Sequence, residues 1–307
     1  MARVRAVDSF LMNGFNLNVV EENATNYFFF NNDNWTYWGK QYQDAFTVRF
    51  LENSDFLELS FTGDRIVADK RAMETTDNEM VGGKVTGMFL GYWDSSNNFN
   101  KMWAIQNFTL AATDVTDAMS TSGTRDDTAL FRDIFSGRDR FDLSSKADYA
   151  LGFGGNDKMF GNGGGDLLAG GRGADLISGG NGRDLLFGQA GDDILFGGRK
   201  ADSLIGGKGD DRLTGGQGPD TFLFGDGDGR DVVADFTDDV DTLWLSAELW
   251  SGDLTARQVV REFAVVRSDR VVFKFGDGDR LIVRDVDRKV DLIDDIQLST
   301  DSGDDFA

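Results

Sequence analysis

The sequence predicts an all-β protein in three parts: a β-sandwich-like N-terminal domain, a central parallel β-roll, and a β-rich C-terminal cap with one short helix. Three observations carry this reading. Short segments in which apolar and polar residues alternate, separated by Asn, Asp and Gly clusters, occupy both ends of the chain. Glycine is concentrated in the middle, where 26 of the 39 glycines lie between Gly152 and Gly229. Within that stretch the sequence repeats itself every nine residues.

The ends come first. In residues 1–137, Phe46–Leu51 and Phe56–Phe61 alternate as half-buried strands do, and Val85–Trp93 and Met102–Leu110 follow them. Short strands at this spacing suit a β-sandwich. Helices are expected over Asp114–Met119 and Asp127–Phe135. In residues 226–307, Thr255 is placed to cap a helix over Ala256–Phe263. Val271–Phe275 and Arg280–Val283 flank Gly276-Asp277-Gly278-Asp279, a hairpin signal. A length of 307 residues accommodates two or three such domains.

Composition then removes whole classes of chemistry. Fifty-three Asp and Glu against 31 Lys and Arg leave a net charge of −22, which repels nucleic acid and anionic lipid and attracts cations. A hydrophobic share of 40% is too high for a disordered polyanion. There is no cysteine and no histidine. Disulfides, thiolate nucleophiles, the Ser-His-Asp triad, the HExxH zinc site and imidazole acid–base catalysis are therefore excluded. Any catalysis would rest on carboxylates, Lys, Tyr or Ser, and no catalytic or cofactor-binding motif is found. Asp8 and Asn13 interrupt what would be the apolar core of an N-terminal secretory signal. No segment reaches the ~18 consecutive apolar residues of a membrane span.

The middle part, residues 138–225, is the informative one. Aspartate recurs every nine residues at Asp139, Asp148, Asp157, Asp166, Asp175, Asp184, Asp193, Asp202, Asp211 and Asp220. Five residues before the last eight stand Gly152, Gly161, Gly170, Gly179, Gly188, Gly197, Gly206 and Gly215. Two residues after them stand Met159, Leu168, Ile177, Leu186, Leu195, Leu204, Leu213 and Phe222. The unit is G-G-x-G-x-D-x-U-x, with U a large apolar residue. Its glycines permit the positive φ of a tight turn. Its aspartate ends the turn, and x-U-x is a minimal strand with U inward. Two units make one coil of a flattened solenoid, so turns two units apart stack at the ~4.8 Å strand spacing. The gap between stacked turns offers backbone carbonyls and carboxylates. An all-oxygen set of six or more ligands selects Ca²⁺ over the smaller, octahedral Mg²⁺. A glycine-rich linker has no phase-locked apolar residues and does not account for the pattern.

This pattern resembles the RTX parallel β-roll, the hemolysin-type calcium-binding repeat. The resemblance implies calcium between turns n and n+2, held by main-chain carbonyls of the turn glycines and by both repeat aspartates. Carried onto this sequence, the aspartate pairs on one edge are Asp157–Asp175, Asp175–Asp193 and Asp193–Asp211. On the other they are Asp166–Asp184, Asp184–Asp202 and Asp202–Asp220. The implied glycine ligands are Gly154, Gly155, Gly163, Gly164, Gly170, Gly171, Gly173, Gly179, Gly180 and Gly182. Gly188, Gly191, Gly197, Gly198, Gly206, Gly207 and Gly209 complete the set. About six ions follow, whose charge of roughly +12 offsets over half of the −22. Phe153, Asn162 and Gln189 replace the second glycine, and Lys200 replaces the fourth. The Lys200 turn is thus the least regular, either strained or carrying a cation beside its site. The units ending at Asp139 and Asp148 keep the aspartate but lose most glycines, as a capping coil would.

Crowded carboxylates repel one another, so the array is expected to fold on binding calcium. Extracellular calcium modules bind at about 10⁻⁴–10⁻³ M, which defers folding until the chain is outside the cell. The resemblance implies export by type I secretion through an uncleaved C-terminal signal, for which the acidic end from Asp291 to Ala307 is suited. Two outward apolar rows stand beside the inward U residues. Leu167, Leu185 and Phe187 lie on one sheet, and Phe160, Leu176, Ile194 and Phe196 on the other. Such rows fit either a covering segment or self-association. Residues 27–42 are dense in aromatics and amides, and Trp35, Trp38, Tyr42, Trp93 and Trp103 fit either a sandwich core or a glycan platform. Two functions are therefore expected as alternatives. One is a secreted, non-enzymatic calcium-binding protein in a surface, matrix or adhesion role. The other is a secreted carbohydrate-active enzyme or glycan-binding module whose site lies in residues 1–137.

Overall fold

A computed structural model describes residues 3–6, 24–30, 35–37, 40–42, 44–52, 55–68, 80–93, 99–111, 125–286, 288 and 292–299. Up to residue 128 the description is of the backbone. The chain divides into two compact units, Met1–Arg140 and Phe141–Ala307. Strands dominate both.

The first unit contains β1 (Arg3–Ala6), β2 (Ala24–Phe30), β3 (Trp35–Tyr37), β4 (Lys40–Tyr42), β5 (Asp44–Glu52), β6 (Asp55–Ala68), β7 (Met80–Trp93), β8 (Phe99–Ala111) and helix α1 (Arg125–Ile134). Its main sheet has the antiparallel order β2-β5-β6-β7-β8-β1, and β3 and β4 pair as a separate hairpin. The register places apolar residues opposite one another. Val48 stands opposite Leu59, Leu59 opposite Leu90, Leu90 opposite Trp103, and Trp103 opposite Ala6. Directly opposed residues share a face, so the alternation read in β5 and β6 extends as one apolar row across five strands. Trp103 belongs to that row. The expected Asp114–Met119 helix, Trp38, and the last residues of the acidic end (300–307) lie outside the described residues. Helix α1 occupies the position expected for Asp127–Phe135.

The second unit is the roll and its cap. One sheet runs β9 (Arg140–Asp142), β11 (Lys158–Gly163), β13 (Leu176–Asn181), β15 (Ile194–Arg199), β17 (Arg212–Gln217), β19 (Arg230–Val233), β23 (Arg280–Arg284), β22 (Arg270–Lys274) and β21 (Ala264–Arg267). The other runs β10 (Tyr149–Leu151), β12 (Leu167–Arg172), β14 (Leu185–Ala190), β16 (Ser203–Lys208), β18 (Thr221–Phe224), β20 (Thr242–Ser246) and β24 (Ile296–Ser299). Successive units alternate between the sheets, and pairing is parallel from β10 and β11 onward through β23 and β24. The nine-residue period thus becomes an 18-residue stacking period: Met159 faces Ile177, then Leu195, Leu213 and Val233. Ala150, Leu168, Leu186, Leu204, Phe222 and Leu243 form the matching ladder. These U residues are buried between the sheets. Each large one contributes about 1.5–3 kcal/mol of burial.

The array is closed at both ends by the chain itself. At the start, Phe141 and Ala150 occupy U positions and are fully buried. The Leu143 amide donates to the Phe160 carbonyl at 2.9 Å, and Asn162 Nδ2 donates to the Leu143 carbonyl at 2.9 Å. These bonds give the capping coil its structural basis. At the end, β22 and β23 form the expected hairpin, and α2 (Ala256–Phe263) begins at Thr255 with a capping box to Gln258. Asp235 accepts the amides of Gly215 and Gly216, both at 2.9 Å, and Asp279 accepts those of Gly227 and Gly229. Side-chain carboxylates replace the carbonyls that a following turn would supply.

The outward rows fare differently. Phe187, Ala169 and Ile205 are buried, with Leu151, Leu167, Leu185 and Leu223 packed against them. On the opposite sheet Ile194 and Phe196 are 40% and 39% exposed.

Candidate metal centres of the repeat turns

Each turn repeats one hydrogen-bond scheme. The amide of the repeat aspartate donates to Oδ1 of the aspartate two units later. The series Asp157→Asp175, Asp175→Asp193 and Asp193→Asp211 spans 2.7 Å at each step. On the other edge Asp166→Asp184 spans 2.8 Å, and Asp184→Asp202 and Asp202→Asp220 span 2.9 Å. A second bond joins the fourth residue of a turn to the carbonyl of the third residue two units on, as from Gly173 to Ala190 at 2.8 Å and from Gly191 to Lys208 at 2.8 Å. One carboxylate oxygen therefore accepts the stacking amide, and Oδ2 takes no part in that scheme.

Those second oxygens have no hydrogen-bond partner. Oδ2 of Asp166, Asp175, Asp184, Asp193, Asp202, Asp211, Asp220 and Asp231 is buried and accepts nothing from the protein. The side chains themselves are at most 2% exposed. Buried, unsatisfied carboxylate oxygens in a regular series are costly unless a cation completes them. Burial is the largest cause raising these carboxyls above the ordinary aspartate range; the stacking amide lowers them, and for several the neighbouring carboxylates raise them further. Asp166, Asp193, Asp202 and Asp211 reach about 7, and Asp220 about 6. Asp231 reaches about 9. Asp175 and Asp184 move in the same direction, and the Lys200 ammonium draws Asp184 partly back.

The first glycine of each unit has a role distinct from turn flexibility. Its φ is not positive. A Cβ built at Gly188 would lie 2.4 Å from Asp193 Oδ2 and 2.5 Å from the Gly206 carbonyl oxygen. At Gly161 the same point lies 2.2 Å from Asp166 Oδ2 and 2.5 Å from the Gly179 carbonyl oxygen. The missing side chain leaves a space into which the carboxylate of one turn and the first-glycine carbonyl two units on both project. These are hard oxygens of the kind calcium takes. Of the glycines expected as ligands, Gly170, Gly179 and Gly206 have carbonyls at these convergence points.

The second and fourth positions are the ones with positive φ. Phe153 (64°), Asn162 (70°), Gln189 (77°) and Lys200 (81°) adopt it without glycine's freedom. Lys200 has both properties expected of its turn, the strained backbone and the cation beside a site aspartate. Asp148 differs from the internal aspartates, because its Oδ2 accepts from the amide and hydroxyl of Ser144, both at 2.9 Å. Asp231 is not among the aspartates predicted as ligands, because Phe224-Gly225 breaks the nine-residue count and the segment from Phe224 reads as the start of the C-terminal cap. The signal that survives is the turn Asp226-Gly227-Asp228-Gly229-Arg230-Asp231 followed by the buried Val233.

The family model that matches the repeats agrees with this geometry. The model of the RTX calcium-binding nonapeptide repeat matches in four copies, over residues 133–168, 160–195, 187–222 and 196–233. Among solved structures, the extracellular lipase LipA from Serratia marcescens is similar at 21% identity and a TM-score of 0.29. That similarity covers 53% of this chain and 38% of the lipase, so the chain spans less than half of that protein's length. The AlgE6R3 subunit of the Azotobacter vinelandii mannuronan C5-epimerase is similar at 25% identity and a TM-score of 0.25, covering 52% of this chain and 83% of that one. No curated protein sequence matches the chain. Over residues 133–233 the chain belongs to the RTX calcium-binding nonapeptide repeats, folded as a parallel β-roll.

Proposed function

We propose that this is a secreted protein whose roll folds on binding about six calcium ions, and whose role is non-enzymatic, at a surface, in a matrix or in adhesion. The observation that carries the proposal is the series of buried aspartate Oδ2 atoms with no hydrogen-bond partner, set opposite glycine carbonyls on both edges of the roll. The ligands are the six expected aspartate pairs with the carbonyls of the turn glycines. Calcium supplies the charge that lets neighbouring carboxylates stay ionised in one stack. Cytosolic calcium is too low for an extracellular-type site, which supports folding after export, by type I secretion. Among the described residues no helix is long and apolar enough to cross a membrane.

Far-ultraviolet circular dichroism of the whole chain tests the folding step. Addition of about millimolar calcium is expected to generate the β spectrum, and chelation to abolish it. A spectrum indifferent to chelation would refute calcium-driven folding.

The second reading places a glycan site in the N-terminal unit. It is favoured by the β3–β4 hairpin, in which Trp35 and Tyr42 are register partners. A glycan array probed with the calcium-loaded protein separates the two. Binding to a defined glycan supports the second reading, and a blank array supports the first. Exposed Ile194 and Phe196 leave self-association open to measurement by light scattering in calcium.

A further inference from the structure

We propose that the outward face of the cap sheet, over β19, β23, β22 and β21, docks on an anionic, phosphate-bearing lipid surface. This deepens the reading of the protein as one that acts at a surface once calcium has folded its roll. It rests on that reading, because β19 is held in place by its pairing with β17 of the roll.

Alternation along these strands sorts their residues by face. Asp231, Val233, Val271, Phe273, Leu281 and Val283 are buried, and the residues between them point outward. Register lines the outward residues up across the sheet. Arg230 pairs with Arg280, and Arg280 with Lys274. Arg284 pairs with Arg270, and Arg270 with Arg267. All six cations are exposed. Between the two rows runs an apolar one of Val232, Ile282, Val272 and Val265. No Asp or Glu occupies an outward position of these four strands. The adjoining Asp226, Asp228, Asp269, Asp277 and Asp285 stand in turns beyond the strand ends, and Asp231 and Asp279 are buried.

Like charges directly opposite one another destabilise a sheet. Four such pairs stand side by side here, at exposed positions where a neutral polar residue would serve the strands as well. The fold carries that cost although the chain as a whole has a net charge of −22. A partner that supplies anions offsets it. Guanidinium groups take phosphate oxygens through paired N–H donors. The apolar strip between the rows suits the layer where headgroups meet acyl chains.

The layout also selects among anionic partners. The rows stand four residues apart along β23, from Arg280 to Arg284, or about 13 Å. A single linear polyanion lying along one row leaves the other unpaired, whereas a two-dimensional array of headgroups meets both. The net charge of the chain opposes this approach only weakly. Screening confines that repulsion to about 8–10 Å at physiological salt, and calcium in the roll offsets over half of the charge.

Co-sedimentation of the full-length protein in calcium with vesicles of phosphatidylglycerol and phosphatidylcholine tests the proposal, with vesicles of phosphatidylcholine alone as the reference. Binding is expected to the anionic vesicles only. Arg270→Gln with Arg284→Gln removes two cations of one row and is expected to weaken binding roughly 30-fold. Arg199→Gln with Lys208→Gln makes the same charge change at exposed positions of the roll and is expected to leave binding unchanged. Equal losses in the two variants, or undiminished binding of the first, as calcium bridging between lipid and aspartates would produce, overturns the proposal. Binding to soluble heparin without binding to anionic vesicles also overturns it. Circular dichroism in calcium reports the fold of each variant, and Arg267→Gln with Lys274→Gln is read in place of a first variant that does not fold. A wild-type protein that gains no β structure in calcium overturns the array reading itself. One that folds in calcium and ignores anionic vesicles overturns only this proposal.

Discussion

Gly161 and Gly163 stand two residues apart in one turn, and alanine at each should act in opposite directions. Neither has a positive φ, so the backbone tolerates alanine at both. The difference is what the added methyl meets. At Gly163 the nearest atom would be the Asn181 carbonyl oxygen at 3.6 Å, an ordinary contact. At Gly161 the methyl would fall 2.2 Å from Asp166 Oδ2 and 2.5 Å from the Gly179 carbonyl oxygen. The backbone carbonyl is fixed by the stack, so the carboxylate must leave or the turn must open. Overpacking of this kind costs about 1–3 kcal/mol, before any loss of an ion ligand. At about 1.4 kcal/mol per decade this weakens calcium-dependent folding roughly 5- to 140-fold. Gly163→Ala should instead gain about 0.4–1 kcal/mol from the stiffer unfolded chain. The assay is the calcium midpoint of the circular dichroism transition, with urea unfolding in saturating calcium as the measure of stability. If the two variants behave alike, glycine at the first position is not there to make room for the carboxylate, and the site geometry described above is wrong.

Two further outcomes follow from the same geometry. Lys200→Gly removes a left-handed residue that costs about 1–2 kcal/mol, against about 0.5–1 kcal/mol for the freer unfolded glycine, so a net gain of up to about 1.5 kcal/mol is expected. It also removes the cation beside Asp184, so its calcium midpoint should fall; a higher midpoint would show that Lys200 supports the turn. pH acts through protons. In the metal-free fold the Asp166, Asp193, Asp202 and Asp211 carboxyls lie at about 7, above the ordinary 3.8. Folding without metal therefore takes up protons, and its stability is greatest below the ordinary carboxyl range and declines as pH rises toward about 7. Chelated protein should accordingly show more β structure at about pH 4.5 than at about pH 7.5, and calcium should bind more weakly at about pH 5.5 than at about pH 7.5. Calcium binding that is flat over that range would contradict the assignment of these carboxylates as ligands.

The roll was legible because its physics is periodic. Three residue types in phase require stacked turns, and the strands, ladders and buried aspartates of the structure all keep that phase. What escaped was what breaks the count. The insertion of Phe224-Gly225 hid a further turn, although Asp231 and Val233 keep the spacing of aspartate to buried apolar residue. Asp239, with φ of 61°, lies in another irregular turn that ends at Asp241 and leads to the buried Leu243. The glycines were read as one class of flexible residue, whereas the first position is a matter of space and the second and fourth of φ. Strand lengths in the N-terminal unit were underestimated for a related reason. Gly63 and Asp64 look like a turn after Phe61, but β6 runs through them to Ala68, with register shifts against β7 that absorb the irregularity. Cross-strand pairing of that kind cannot be read from one strand's own residues.

Amide hydrogen exchange across the whole chain, with and without calcium, tests the central claim most directly. Residues 152–233 should exchange slowly in calcium, with the stacking amides of Asp157, Asp175, Asp193 and Asp211 among the best protected, and should lose that protection together on chelation. Protection of those amides that persists in the absence of calcium would mean that the roll folds by its apolar ladder alone, and that calcium is a passenger of the fold.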